Sequence, residues 1–281
     1  MCPRAGVGRK TMQTKGTGAV HCLLLGTLLL GGSCAGPSVP RSAVQAPWGI
    51  VRAPEARRAG EVSGVMARLV SAVALESGVQ DPPPVEIWQL SHEIEGPLVA
   101  NTRPGRIELG AEVGTLLGDE DGLTWLLAHE YAHWCLHSAE ERQWDALPTL
   151  LAEGLAEAIV LRALPHLARS AWAEHRAALE SIERIESGQT LFNLTLEEWG
   201  GVRTPEQARV LYAIGAVLAS RIGREGLAEL CERARGEALE TVPGAWILAR
   251  AQMESLTRER LLAALDHHVA HAPQPPPAAA R

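Results

Sequence analysis

The chain has 281 residues, 46% of them hydrophobic and 21% charged, with a net charge of −7. That balance belongs to a globular protein and excludes a wholly disordered chain, a collagen, a coiled coil and a multi-pass membrane protein. The charge is spread without a basic stripe, which excludes a nucleic-acid surface. Eight Trp, two Tyr and one Phe are the only aromatic side chains, so aliphatic residues and alanine must fill most of the core.

The N-terminus reads as an address. Residues 1–18 carry Arg4, Arg9, Lys10 and Lys15 with no acid, and an apolar run from Ala19 to Leu30 follows. A basic head, a short apolar run and small residues beyond it make a secretory signal. The run falls short of the about 20 apolar residues that a transmembrane helix needs. Leu30-Gly31-Gly32-Ser33-Cys34 resembles the lipobox of bacterial lipoproteins, with Gly31 where that family usually has leucine. The resemblance implies that Cys34 is lipidated and becomes the first residue of a protein anchored in a bacterial cell envelope. Ordinary cleavage between Gly32 and Ala35 is the alternative, and would give a periplasmic or secreted protein. The expected divisions are a signal peptide at 1–33, a flexible tether rich in Pro, Ala, Ser and Gly at 34–54, one domain at 55–271, and a disordered tail at 272–281. Losing four basic residues and no acid takes the net charge from −7 to −11. Membrane attachment would then come only through acyl chains. Apart from Cys2, Cys22 and Cys34, only Cys135 and Cys231 remain, which reads as two buried free thiols rather than a disulfide framework.

Beyond the tether, Val62, Val65, Met66, Leu69, Val70, Val73 and Ala74 recur at helical spacing and predict a helix over 55–77, stopped by Asp81-Pro82-Pro83-Pro84. Val85 to Leu90 alternates with period two and reads as a strand, as does Arg106 to Leu109 after the Pro104-Gly105 turn. Asp119, Glu120 and Asp121 lack the spacing of a calcium loop and serve instead to cap a helix from Leu123 to His137. Thr149 to Ala163 predicts another helix, and further helical stretches lie near 167–186, 205–222, 225–235 and 254–271. The fold class is α+β, mainly helical: a small N-terminal sheet followed by a helical C-terminal half.

The chemistry concentrates in Ala128-His129-Glu130-Tyr131-Ala132-His133. On a helix, His129 and His133 are one turn apart on one face, close enough to share a metal ion. Zinc accepts imidazole nitrogen, and a catalytic zinc site keeps one position open for water. Glu130, beside the first histidine, can reach such a water as a general base. Two helix histidines satisfied by hydrogen bonds are the plainer reading of these residues alone. A zinc enzyme needs a third ligand. The pattern with Gly three and His six residues after the second histidine fails, since those positions are Leu136 and Ala139. A glutamate on the following helix fits: Glu153 stands there, in Leu151-Ala152-Glu153-Gly154-Leu155-Ala156-Glu157. His137 extends the histidine face by a further turn and points along the axis, where a solvent-facing role suits it better. Cys135 lies away from that face and reads as core. His267, His268 and His271 read as a solvated helix end.

His129-Glu130-x-x-His133 with Glu153-Gly154-x-Ala156-Glu157 resembles the gluzincin metallopeptidases, the clan of thermolysin and the M1 aminopeptidases, and within it the compact bacterial peptidase MA-like domains. The resemblance implies a zincin-like fold, with the small sheet over the active-site helix, and one Zn²⁺ per chain held by His129, His133 and Glu153. A Zn-bound water activated by Glu130 would hydrolyse peptide bonds. It further implies that Glu157 orients the first histidine, although the thermolysin branch has aspartate at that position. Tyr212, in Tyr212-Ala213-Ile214-Gly215, matches the Tyr-x-x-Gly of M1 enzymes and would donate to the oxyanion; a tyrosine buried on an apolar helix face is the competing reading. The Gly-x-Met-Glu-Asn sequence of M1 exopeptidases is absent. The layout of the clan assigns substrate recognition to an edge strand, for which Arg106 to Leu109 is the candidate. The expected partner is a peptide or protein substrate, with no nucleic acid. The alternative is a catalytically inactive zinc-stabilised scaffold or binding lipoprotein of the same fold, and the same residues also suit hydrolysis of a non-peptide amide or ester.

Overall fold

The computed structural model describes residues 22–23, 41–91, 98–103, 105–111, 113, 119–139, 144–181 and 205–271. Cys34, most of the expected signal peptide and the expected tail lie outside the described residues. A two-residue strand, β1 (Cys22–Leu23), is followed by β2 (Ser42–Ala46), β3 (Gly49–Ala53), the helix α1 (Ala56–Glu76), β4 (Val85–Gln89), β5 (Leu98–Arg103) and β6 (Arg106–Leu109). Six helices complete the described chain: α2 (Glu120–Ala139), α3 (Thr149–Ala163), α4 (Pro165–Glu180), α5 (Pro205–Gly236), α6 (Gly244–Arg250) and α7 (Arg258–His271). The architecture is mainly helical α+β, as the pattern of the sequence implies.

The strands form one mixed sheet in the order β1-β5-β6-β4-β3-β2. β3, β4 and β6 run parallel, while β2 and β5 are antiparallel to their neighbours. Val51, Ala53, Val85, Ile87, Ile107 and Leu109 are fully buried or nearly so. Helices α1 and α2 pack against this sheet, and α3 packs behind both of them and against α5.

Two expectations need correction here. The tether does not reach residue 54, because residues 42–53 form the β2–β3 hairpin. Its Ala, Gly and Pro content resembles a linker, but Gly49, Val51 and Ala53 fall on one face of β3 at period two, and the two larger side chains are fully buried. Gly49 is needed at the start of β3: it adopts φ +154°, and a Cβ there would stand 2.0 Å from the carbonyl oxygen of Val85. The second correction concerns the edge strand. Arg106–Leu109 is interior, paired to β4 on one side and to β5 on the other. The edge strands are β1 and β2, and the two-residue β1 pairs with β5 only at Leu98 and Ala100.

The helices match their sequence signals closely, and differences fall mostly at the ends. Asp119 caps α2 by accepting from the backbone N–H of Gly122 at 3.1 Å. α4 ends at Glu180 instead of near 186, and α7 starts at Arg258 instead of near 254. α5 joins the two predicted helices at Gly223, whose φ of 76° interrupts the helical backbone. α2 and α3 are apolar around nearly their whole circumference, as helices at the centre of a domain must be. Residues 126–136 of α2 and all but Ala152 of residues 150–161 of α3 are buried. Cys135 and Cys231 are buried and free, and burial pushes both thiols up to about 11. Among the described residues no helix is long and apolar enough to cross a membrane.

Candidate metal centre

Against the apolar interior of α2 and α3, five ionisable side chains stand out. His129, Glu130, His133, Glu153 and Glu157 are each no more than 3% exposed. Burial of so many polar groups is costly unless each has a partner or a ligand.

α2 projects His129 and His133 from consecutive turns, and α3 brings Glu153 to them. His129 Nε2 lies 3.1 Å from His133 Nε2 and 3.1 Å from Glu153 Oε2, and His133 Nε2 lies 3.3 Å from the same carboxylate oxygen. The three atoms make a near-equilateral triangle. Tetrahedral ligands about 2.0–2.1 Å from a zinc ion stand about 3.3–3.4 Å apart, so the donor set fits such an ion in spacing and in chemistry. Two imidazole nitrogens facing each other at hydrogen-bond distance also need a shared cation or proton between them. His129, His133 and Glu153 are the one group of this kind among the described residues.

The outer contacts decide how the first histidine presents itself. Glu157, one turn beyond Glu153 on α3, places Oε2 3.2 Å from His129 Nδ1. A carboxylate only accepts, so the proton of His129 sits on Nδ1 and the lone pair of Nε2 faces the triangle. Burial disfavours the ionised form of Glu157, but its contacts with His129 and His175 win and hold it down to about 2. For Glu153, burial is likewise outweighed by His133 and His129, and its carboxyl is also held to about 2. Both groups are carboxylates at neutral pH.

Tyr212 joins the same cluster. Its hydroxyl donates to Glu153 Oε2 at 3.0 Å, and its ring is edge-on to His129 with centroids 5.7 Å apart. The approach depends on two glycines. A Cβ on Gly154 would stand 2.1 Å from the carbonyl carbon and oxygen of Gly215, and one on Gly215 would stand 2.4 Å from the carbonyl oxygen of Leu150. α3 and α5 therefore touch backbone to backbone, and each glycine sits within one turn of the residue it delivers, Glu153 or Tyr212.

Glu130 is held from the sheet. Thr102 on β5 donates its hydroxyl to Glu130 Oε2 at 2.6 Å, with the backbone oxygen of Glu130 3.0 Å away. Glu130 Oε1 is buried without a hydrogen-bond partner, as is Glu153 Oε1. Two bare carboxylate oxygens in a dry interior mark a place where water or an ion completes the site.

The structure thus brings His129, His133, Glu153, Glu157 and Tyr212 together, with Glu130 adjacent on α2. His137 is exposed and stacks on His133 at 6.2 Å, outside the triangle. Sequence reasoning missed Thr102 and His175. Thr102 lies in a strand too polar to stand out. His175 left a usable signal: it falls on the apolar stripe of α4 made by Ala171, Trp172, Ala178 and Leu179, all buried. No family model matches the sequence, and no curated protein is significantly similar to it.

Proposed function

We propose that the protein is a zinc-dependent metallopeptidase of gluzincin type, its mixed sheet lying over α2 in the manner of zincins and its helical half closing the site. The observation that carries this reading is the buried triangle of His129, His133 and Glu153 beside Glu130, a carboxylate with one oxygen tethered and the other bare. A structural metal site has no use for that fourth group.

Zinc, when bound, supplies a Lewis acid that polarises a carbonyl and acidifies water. The chain's own residues do the rest. Thr102 fixes Glu130 Oε2 and leaves Oε1 to take a proton from the attacking water as its oxygen bonds to the scissile carbonyl carbon. Glu130 then returns that proton to the amine nitrogen as the C–N bond breaks. Tyr212 exchanges its hydrogen bond to Glu153 for one to the oxyanion. Glu157 keeps His129 in the tautomer that presents Nε2. An extended peptide would add to β5, the strand that carries Thr102, beyond the two positions at which the short β1 pairs with it. The basic head and apolar run before Cys34 support export from a bacterial cytoplasm, with a lipid anchor at Cys34 and ordinary cleavage to a periplasmic or secreted protein as the alternative.

The test is Glu130→Gln in the full-length chain, measured for zinc content and for cleavage of a mixed peptide library. We expect cleavage to fall by about 10²–10⁴-fold, the usual contribution of a general base, with zinc retained. Undiminished cleavage would sink the mechanism. Zinc bound by the wild-type chain with no turnover of any peptide would favour the inactive scaffold.

A further inference from the structure

Glu157 has two oxygens, and the site uses only one of them. Oε2 takes the proton of His129 Nδ1, while Oε1 points the other way into the protein. A carboxylate this deeply buried is stable only when both oxygens are engaged, since a bare one loses its hydration with nothing in return. The partner nearest to hand is His175 on α4, whose Nε2 stands 3.0 Å from Oε1, at ion-pair distance but outside hydrogen-bond geometry. His175 is itself only 8% exposed, and its ring is edge-on to Trp172 one turn earlier on the same helix, with centroids 5.6 Å apart. α4 packs on α3 and α5, so the imidazole is fixed by an element that contributes nothing else to the metal triangle.

We infer that His175 is a positioning residue of the metal centre: its Nε2 stands at ion-pair distance from Glu157 Oε1, and with a small turn of the ring an N–H there donates to that oxygen and keeps the carboxylate turned toward His129, so that His129 Nε2 stays aimed into the triangle. The inference rests on the reading of His129, His133 and Glu153 as a metal site. Without His175, Glu157 is free to turn away from His129 in search of another donor. His129 then loses the partner that fixes its ring, and metal affinity falls although no ligand has changed. Supporting contacts of this kind are commonly worth 10- to 100-fold in metal affinity.

The experiment measures zinc affinity of the full-length chain by competition with a chromophoric chelator, and records the visible spectrum of the cobalt-substituted protein. His175→Phe fills the same space beside Trp172 but offers no donor, and should weaken zinc binding about tenfold or more and alter the cobalt spectrum. His175→Gln places an amide N–H near the original Nε2 and should restore affinity to within about threefold of wild type. If His175→Phe does not fold, His175→Asn, whose amide is too short to reach Glu157, takes its place with the same expected loss. The decisive comparison is with Glu157→Gln. Because His175 acts through Glu157, adding His175→Phe to Glu157→Gln should cost little further affinity. Equal losses in the Phe and Gln variants, or fully additive losses in the double variant, would overturn the positioning role. Failure of the wild-type chain to bind zinc would instead overturn the metal-site reading on which it rests.

Discussion

The site has two walls of different construction. On one side α3 and α5 meet backbone to backbone at Gly154 and Gly215, which brings the Tyr212 hydroxyl to Glu153 Oε2. On the other, β5 reaches Glu130 through one threonine hydroxyl. The helical wall is dense and admits no added atom; the sheet wall is a single threonine hydroxyl on β5. Under the proposed function, the difference separates two tasks. The helical wall holds what a metal needs, which is fixed donors at fixed spacing. The sheet wall holds what proton transfer needs, a carboxylate with one oxygen restrained and the other open. Changes to the helical wall should therefore remove metal or fold, and changes to the sheet wall should slow turnover while metal stays.

The largest expected effect is on Glu153. Glu153→Gln keeps the volume and removes the anionic donor from a triangle that depends on it. Zinc should drop from about one per chain to near zero and cleavage should disappear with it, while circular dichroism stays that of the wild type. Full zinc occupancy in that variant would show that the third donor lies elsewhere.

Gly154→Ala tests the same wall through packing. Alanine is the better helix former by about 1 kcal/mol. Its methyl group, however, would stand 2.1 Å from backbone atoms of Gly215, and backbone cannot step aside as a flexible side chain can. Overpacking of this kind costs about 1–3 kcal/mol or more, and with a rigid neighbour the upper end applies. We expect a net loss of about 2 kcal/mol and a fall in Tm of roughly 4–8 °C by calorimetry. Separation of α3 from α5 should also weaken zinc binding, because Glu153 moves with α3. An unchanged Tm would mean that the helices can part at no cost.

The two walls also differed in how much of them could be read from sequence. The helical wall was legible because its information is local: His129 and His133 at one-turn spacing, Glu153 and Glu157 at the next helix, and an apolar background that makes each polar residue conspicuous. The Tyr212 segment could be matched, but the reason for its glycine could not, since the contact of Gly215 with Gly154 spans two helices far apart in sequence. The sheet wall was nearly illegible. The β2–β3 hairpin hid in the composition of a linker, and Leu98–Arg103 carries Asn101, Thr102 and Arg103 in place of an apolar alternation. Strand order is set by pairing between distant segments, which is why the interior position of Arg106–Leu109 could not be read from the sequence. His175 fell between these cases: its helix and its stripe were visible, but its meeting with Glu157 needed the packing of α4 on α3.

The smallest of these effects, and the one that most sharpens the contrast, is expected at Thr102. Thr102→Val keeps the β-branched shape on a strand and loses only the hydroxyl, so the fold and the triangle should stand. Glu130 Oε2 then joins Oε1 as a bare buried oxygen, and the carboxylate is free to rotate. A general base that samples several orientations spends less time aligned with its proton, and misplacement by about 1 Å can cost as much as 100-fold in rate. Loss of one restraint among several should cost less, about tenfold in kcat, with KM and zinc content unchanged. Thr102→Ser, which restores the hydroxyl, should recover most of the rate. A fall in zinc content in Thr102→Val would mean that the sheet wall also carries the metal and that the two tasks are not separate. A valine variant as fast as wild type would mean that α2 alone is enough to aim Glu130.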